Sequence, residues 1–161
     1  MRRYGEVESW VAGAIGRPGE RSFFIQFTAD DGVHGFLVEK GQVAALVVEA
    51  GKLLAGFESA GAAEGTGRSP ATGVVPEFRV AEIHLAYEAA SEIVTVRLIP
   101  TVDDADAVEF VLTAAQFATA LGDARGAVEG GRPPCPRCGL AMDPDGHACP
   151  VTNGDLRGHR P

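Results

Sequence analysis

Two apolar stripes of helical spacing, 74 residues apart in a chain of 161, constrain this fold more than any other feature. In the first, Val43, Leu46, Val47, Ala50, Leu53, Leu54 and Phe57 recur at the spacing of one helix face. The second repeats it without a gap: Val43 falls on Phe117, Leu46 on Ala120, Val47 on Leu121, Ala50 on Ala124 and Leu54 on Val128. Ahead of the stripes the same offset sets Phe36 on Phe110, Val38 on Leu112 and Gln42 on Gln116.

Each stripe follows three segments with strand patterning. Glu8 to Ile15, Ser22 to Thr28 and Val33 to Glu39 precede the first helix, which begins near Gly41. Phe78 to Tyr87, Glu92 to Thr101 and Ala107 to Leu112 precede the second, with Thr113 as its N-cap and an end near Val128. The expected fold is therefore α+β: two tandem βββα units, pseudo-duplicated, at residues 1–58 and 76–130. Each buries one sheet face under its helix, and together they complete one core. Residues 59–75 hold Gly61, Gly65, Gly67 and Gly73 with no periodicity, which reads as a flexible linker. The glycines at 13, 16 and 19 are spaced like a phosphate loop, but a strand follows them where such a loop needs a helix. Gly16-Arg17-Pro18-Gly19 is read as a hairpin turn, with Pro18 and Gly19 suited to type II geometry.

All three cysteines fall in the last part of the chain, in Cys135-Pro136-Arg137-Cys138-Gly139 and His147-Ala148-Cys149. Two residues between thiols match paired ligands of structural zinc. Asp143-Pro144-Asp145-Gly146 reads as a reverse turn that folds His147 and Cys149 back. In an extended segment those two side chains share a face, so Cys135, Cys138, His147 and Cys149 form a Cys3His set for structural Zn2+. A small zinc-binding loop or knuckle is expected at residues 131–154, with a disordered terminus at 155–161. Two other uses of these thiols compete: a disulfide plus one free cysteine, and a redox Cys-x-x-Cys. His159 competes with His147 for the fourth position.

The formal charge of −8 speaks against general nucleic-acid binding and against anionic membranes. From Arg132 onward four arginines face three aspartates, a net of +1, leaving −9 on the rest. That break points to the tail as the contact surface for a protein partner. The first residues lack the apolar run of a signal peptide, and Val43 to Phe57 is too short to span a bilayer. A cytoplasmic protein with reduced thiols is expected.

No nucleophile–base motif, Walker loop or dinucleotide fingerprint is present, and no catalytic residue is assigned. His34 and His84 read as packing or surface histidines, and Arg21, Glu39 and Lys40 as solvated charges at element ends. The alternative to a non-catalytic adaptor is a small-molecule binder or enzyme using a cleft between the repeats, with Arg97 and Gln26 as its polar lining.

The blocks Gly16-Arg17-Pro18-Gly19-Glu20-Arg21-Ser22-Phe23-Phe24-Ile25-Gln26, Val38-Glu39-Lys40-Gly41-Gln42-Val43-Ala44-Ala45-Leu46 and Pro76-Glu77-Phe78-Arg79-Val80 occur in that order. Gly131-Arg132-Pro133-Pro134-Cys135-Pro136-Arg137-Cys138-Gly139, Asp143-Pro144-Asp145-Gly146-His147-Ala148-Cys149-Pro150 and Asn153-Gly154 follow. In these the chain resembles an uncharacterised family of short actinobacterial proteins, classed as a domain of unknown function. The resemblance implies the same Cys3His tail and a bacterial, cytoplasmic protein, often encoded near a histidine-phosphatase-like and a kinase-like protein. It brings no activity with it.

Overall fold

The computed structural model describes residues 1–55, 65–143 and 145–151. Phe57, residues 59–64 of the expected linker, Pro144, Asn153-Gly154, the terminus at 155–161 and with it His159 lie outside the described residues.

The elements run β1 (Arg2–Glu6), β2 (Ser9–Ile15), β3 (Ser22–Ala29), β4 (Gly32–Val38), α1 (Lys40–Leu54), β5 (Val80–Glu88), β6 (Ile93–Pro100), β7 (Val108–Thr113) and α2 (Ala114–Glu129). This is a mixed α+β architecture with two sheets and two helices. One sheet has the order β2-β3-β4, all antiparallel, and the other the order β1-β7-β6-β5. The turn between β2 and β3 is closed by the Glu20 N–H donating to the Arg17 carbonyl at 2.9 Å. The Thr113 hydroxyl accepts from the Gln116 N–H at 3.2 Å and so caps α2 as its type and position predict.

The two sheets share one core. Phe27 on β3 meets Phe110 on β7 with ring centroids 4.5 Å apart, and Trp10 stacks on Phe117 of α2 at 5.1 Å. Phe36 stacks on Phe27 and leans on Phe78, so aromatic contacts run continuously from one half of the chain to the other. Val43, Leu46, Ala50 and Leu54 of the first stripe and Phe117, Ala120, Leu121 and Ala124 of the second are all buried in this cluster. Its apolar alternation is why the strands form: every second residue of β6 and β7 (Val94, Val96, Leu98; Val108, Phe110, Leu112) is buried.

The N-terminal strand was not expected from the sequence. β1 pairs in parallel with β7, joining the first residues of the chain to the last strand. A matching short contact runs the other way. Leu37 of β4 bridges Arg79 in parallel, with the Leu37 N–H donating to the Phe78 carbonyl at 3.0 Å. The helix starts are crossed in the same manner. Gln42 of α1 donates to the carbonyls of Val80 and Ala81 at 3.1 and 2.9 Å. Gln116 of α2 donates to those of Val7 and Glu8 at 3.3 and 3.4 Å.

Residues 65–75 carry no regular structure yet are tied to the body. The Gln26 side-chain amide donates to the Ala71 carbonyl at 3.0 Å and accepts from its N–H at 2.7 Å. The Asp123 carboxylate accepts from Thr66 at 3.0 Å and from the Gly67 N–H at 2.7 Å. Pro70 is buried against Gly13 of β2, where any Cβ would come within 2.9 Å of the proline ring.

Candidate metal centre

After α2 the chain enters a tail with too few apolar side chains to form a core of its own. Its backbone is set by short-range bonds. The Cys135 N–H donates to the Leu140 carbonyl at 2.7 Å, the Gly139 N–H to Cys135 at 2.8 Å and the Met142 N–H to Pro133 at 2.9 Å. Gly139 has φ of 74°, a left-handed conformation that a side chain at this position would strain. The Gly146 N–H donates to the Asp143 carbonyl at 2.8 Å, which closes the second turn and brings His147 and Cys149 back to the first.

One donor atom from each of Cys135, Cys138, His147 and Cys149 lies within 4.8 Å of the other three. The Sγ atoms of Cys135 and Cys149 are 4.0 Å apart, and Cys138 Sγ is 3.6 Å from His147 Nε2. In a tetrahedral site with metal–sulfur bonds of about 2.3 Å, neighbouring sulfurs sit about 3.8 Å apart. The four residues therefore form a set that could bind a metal ion. None of the three cysteines is in a disulfide, and the Cys135–Cys149 separation is about twice a disulfide bond of ~2.0 Å.

The electrostatics suit a cation. The backbone N–H groups of Arg137 and Cys138 point at the Cys135 sulfur and hold its pKa down to about 6, well below the usual thiol range. Burial pushes Cys138 the other way, and the neighbouring Cys135 and Cys149 sulfurs add to the rise. Negative charge is thus favoured on Cys135 and opposed on Cys138 beside it. A divalent cation removes that opposition.

A family model described as "Protein of unknown function (DUF3090)" matches residues 2–149, from the start of β1 to the last of the four donor residues. The chain belongs to this family. A search of curated proteins and a search of solved structures each found no match to it. In this DUF3090 chain the four donors lie at the C-terminal end of the matched region.

The remaining sequence-predicted polar residues are dispersed. Arg97 is held by Glu109, its Nη2 2.6 Å and its Nε 2.9 Å from Oε2, and both donor and acceptor of the Gln26 amide are taken by Ala71. Arg97 lies on the second sheet and Gln26 on the first, and no contact joins them. His84 is exposed beside Glu82 at 2.7 Å. His34 is largely buried, stacked on Phe27 at 4.9 Å, with its ring nitrogens 2.6 Å from Glu77 and 2.8 Å from Asp31. Burial alone would lower its pKa, but the bonds to Asp31 and Glu77 outweigh that and raise it.

Arg21, Glu39 and Lys40 lie at element ends as the sequence reading has them, Glu39 and Lys40 exposed, and they also converge. With Arg79 and Arg132 they line a cavity of about 470 Å3 at the junction of body and tail. These residues come from four distant stretches of chain, so spacing carries no sign of them. The one local signal is that two of them, Glu39 and Lys40, sit together ahead of a helix. Among the described residues no helix is long and apolar enough to cross a membrane.

Proposed function

We propose that this protein is a non-catalytic binding or adaptor module of the bacterial cytoplasm, with a structural Zn2+ held by Cys135, Cys138, His147 and Cys149 in its tail, residues 131–154. The observation that carries the reading is the gathering of three thiols and one imidazole within 4.8 Å. Thiolate and imidazole donors at this spacing suit zinc, and four protein ligands fill a tetrahedral ion, leaving no position for a substrate water. Such thiols stay available to metal in a reducing compartment. The net +1 from Arg132 to the end of the sequence, against an acidic body, supports the tail and terminus as the surface for a protein partner.

The two halves are read as tandem βββα units that arose by duplication. The crossed bonds of Gln42 and Gln116, equivalent at the 74-residue offset, support this, as do the two short parallel pairings of β1 with β7 and of Leu37 with Arg79.

Mass spectrometry under native conditions tests the metal: one zinc per chain is expected, lost in Cys149→Ser. A reduced, metal-free chain with an ordered tail would overturn the reading. Comparing the proteins retained by wild type and by Cys149→Ser then tests the adaptor role. Retention of the same partner by both would move the contact surface onto the body.

A further inference from the structure

The body of this protein is strongly acidic, yet the cavity at its junction with the tail is lined by four cations and a single carboxylate. Arg21 comes from the start of the β3 region, Lys40 from the first turn of α1, Arg79 from the segment before β5 and Arg132 from the entry to the tail. Glu39 is the only acidic residue on the wall. Phe23, Leu37, Val38, Ala127 and Ala141 supply apolar surface between the charges.

The cations are unequally occupied. Arg21 donates to the Ala127 carbonyl at 3.0 Å, in the last turn of α2. Arg132 is 3.0 Å from Asp143, and Arg79 is paired with Glu39, which is itself two-thirds exposed. Lys40 has no hydrogen-bond or ion-pair partner among the described residues. Its ammonium reaches over the end of α2, where a Cβ on Gly131 would stand 3.2 Å from Nζ. The positive end of the α1 dipole opens at the same place.

Like charges gathered in a concave site repel one another and focus a positive field, which an anion relieves. Arginine forks match a planar or tetrahedral oxyanion, and the unpaired lysine adds a point charge. Two of the four cations have a carboxylate beside them, leaving about two positive charges for a ligand to meet. We propose that this cavity binds a small organic phosphate, a phosphomonoester dianion whose carbon part lies against Phe23, Leu37 and Val38. Its floor belongs to the body. Arg132 and Ala141 on its wall depend on the metal-held tail, and to that extent the site rests on the zinc reading.

Calorimetric titration with phenyl phosphate, inorganic phosphate and succinate tests the proposal on the full chain. Phenyl phosphate should bind one to one, more tightly than inorganic phosphate, and more weakly as salt is raised. Lys40→Ala and Arg79→Ala should each weaken binding roughly tenfold or more, the weight of a charge-assisted hydrogen bond. Both side chains are exposed, so the variants should fold, and an unchanged circular dichroism spectrum checks this. Lys52→Ala, on the same helix but paired with Glu49, should bind as wild type does. Absence of saturable binding, or binding indifferent to Lys40→Ala and Arg79→Ala, would overturn the proposal. Succinate binding as tightly as phenyl phosphate would overturn the phosphate assignment. Zinc content measured on the same samples separates the two readings. A chain without metal that still binds phenyl phosphate through Lys40 keeps the pocket and loses the zinc, and a zinc-loaded chain that binds no phosphate does the reverse.

Discussion

The body and the tail of this chain are held by different forces. In the body, Phe27, Phe36, Phe110 and Phe117 are wholly buried; Phe27 touches Phe36 and Phe110, and Trp10 links Phe110 to Phe117 of α2. Among the described residues of the tail, the only buried ones are Cys135 and Cys149. Apolar area removed from water stabilises the first at about 25 cal/mol per Å2. The second has almost none, and its short backbone bonds would not outweigh the entropy of ordering some twenty residues at about 1–2 kcal/mol each. On the zinc reading, a metal that binds only the folded tail supplies the difference. On that reading one chain carries a region that folds by composition and a region that folds by ligation.

The sharpest way to break this contrast is to remove one ligand. In Cys149→Ser the tail should lose its metal and its protection from hydrogen exchange over residues 135–149. Structural zinc sites are worth about 10–16 kcal/mol in small domains, far more than the tail has in other contacts. The thermal transition of the body should barely move. A body that melts with the tail would show that the two are one cooperative unit.

The converse experiment is Phe110→Ala. It removes the ring that joins β7 to Phe27 and should cost about 3–5 kcal/mol in denaturant unfolding. Below that transition the metal should stay bound in full. Early loss of metal would mean that the tail depends on the body's packing.

Asp123→Ala sharpens the boundary of the body. It deprives the Thr66 hydroxyl and the Gly67 N–H of their acceptor, at a cost of about 1–3 kcal/mol. Limited proteolysis should then cut between residues 65 and 71 faster than in wild type. Equal rates would show that Pro70 and Gln26 hold the segment without Asp123.

The smallest effect concerns pH. The pKa of His34 is raised above its ordinary 6.5, since Asp31 and Glu77 favour the imidazolium more than burial opposes it. Its contribution is fully present below about pH 6.5 and fades as pH rises through the folded value. Melting temperatures of wild type and His34→Gln should therefore differ most in mild acid, by a few degrees, and converge toward pH 9. A difference that grows with pH would contradict the assignment. On the zinc reading, metal loss in acid belongs to the tail and is followed separately by zinc release.

Much of the secondary structure was legible because apolar periodicity and tertiary burial agree. The stripe from Val43 to Leu54 gave α1, and Thr113 marked the start of α2 to the residue. Among the described residues seven strands form where six were read. β1 was missed because Arg2-Arg3-Tyr4-Gly5-Glu6 has no apolar face; its order comes from pairing with β7, a hundred residues away. The tail was legible for the opposite reason: its donor atoms lie within fifteen residues, where spacing and turn chemistry decide geometry. The cation-lined cavity was not, because Arg21, Lys40, Arg79 and Arg132 become neighbours only through the crossing of the two halves. Residues 59–75 were read as a flexible linker from their glycines; the hydrogen bonds of Gln26 to Ala71 and of Asp123 to Thr66 and Gly67 are long-range contacts that composition does not reveal.

The pairing of β1 with β7 also sets a schedule. During synthesis the first residues emerge long before Val108–Thr113, so β1 has no partner until nearly the whole body has been made. Phe27 must likewise wait for Phe110, and Gln42 for Val80 and Ala81. The first half cannot finish folding on the ribosome while the second is still being translated. Contacts so far apart in sequence close slowly, and the waiting half exposes its aromatic strands meanwhile. The body is thereby committed to late folding, once both halves have emerged.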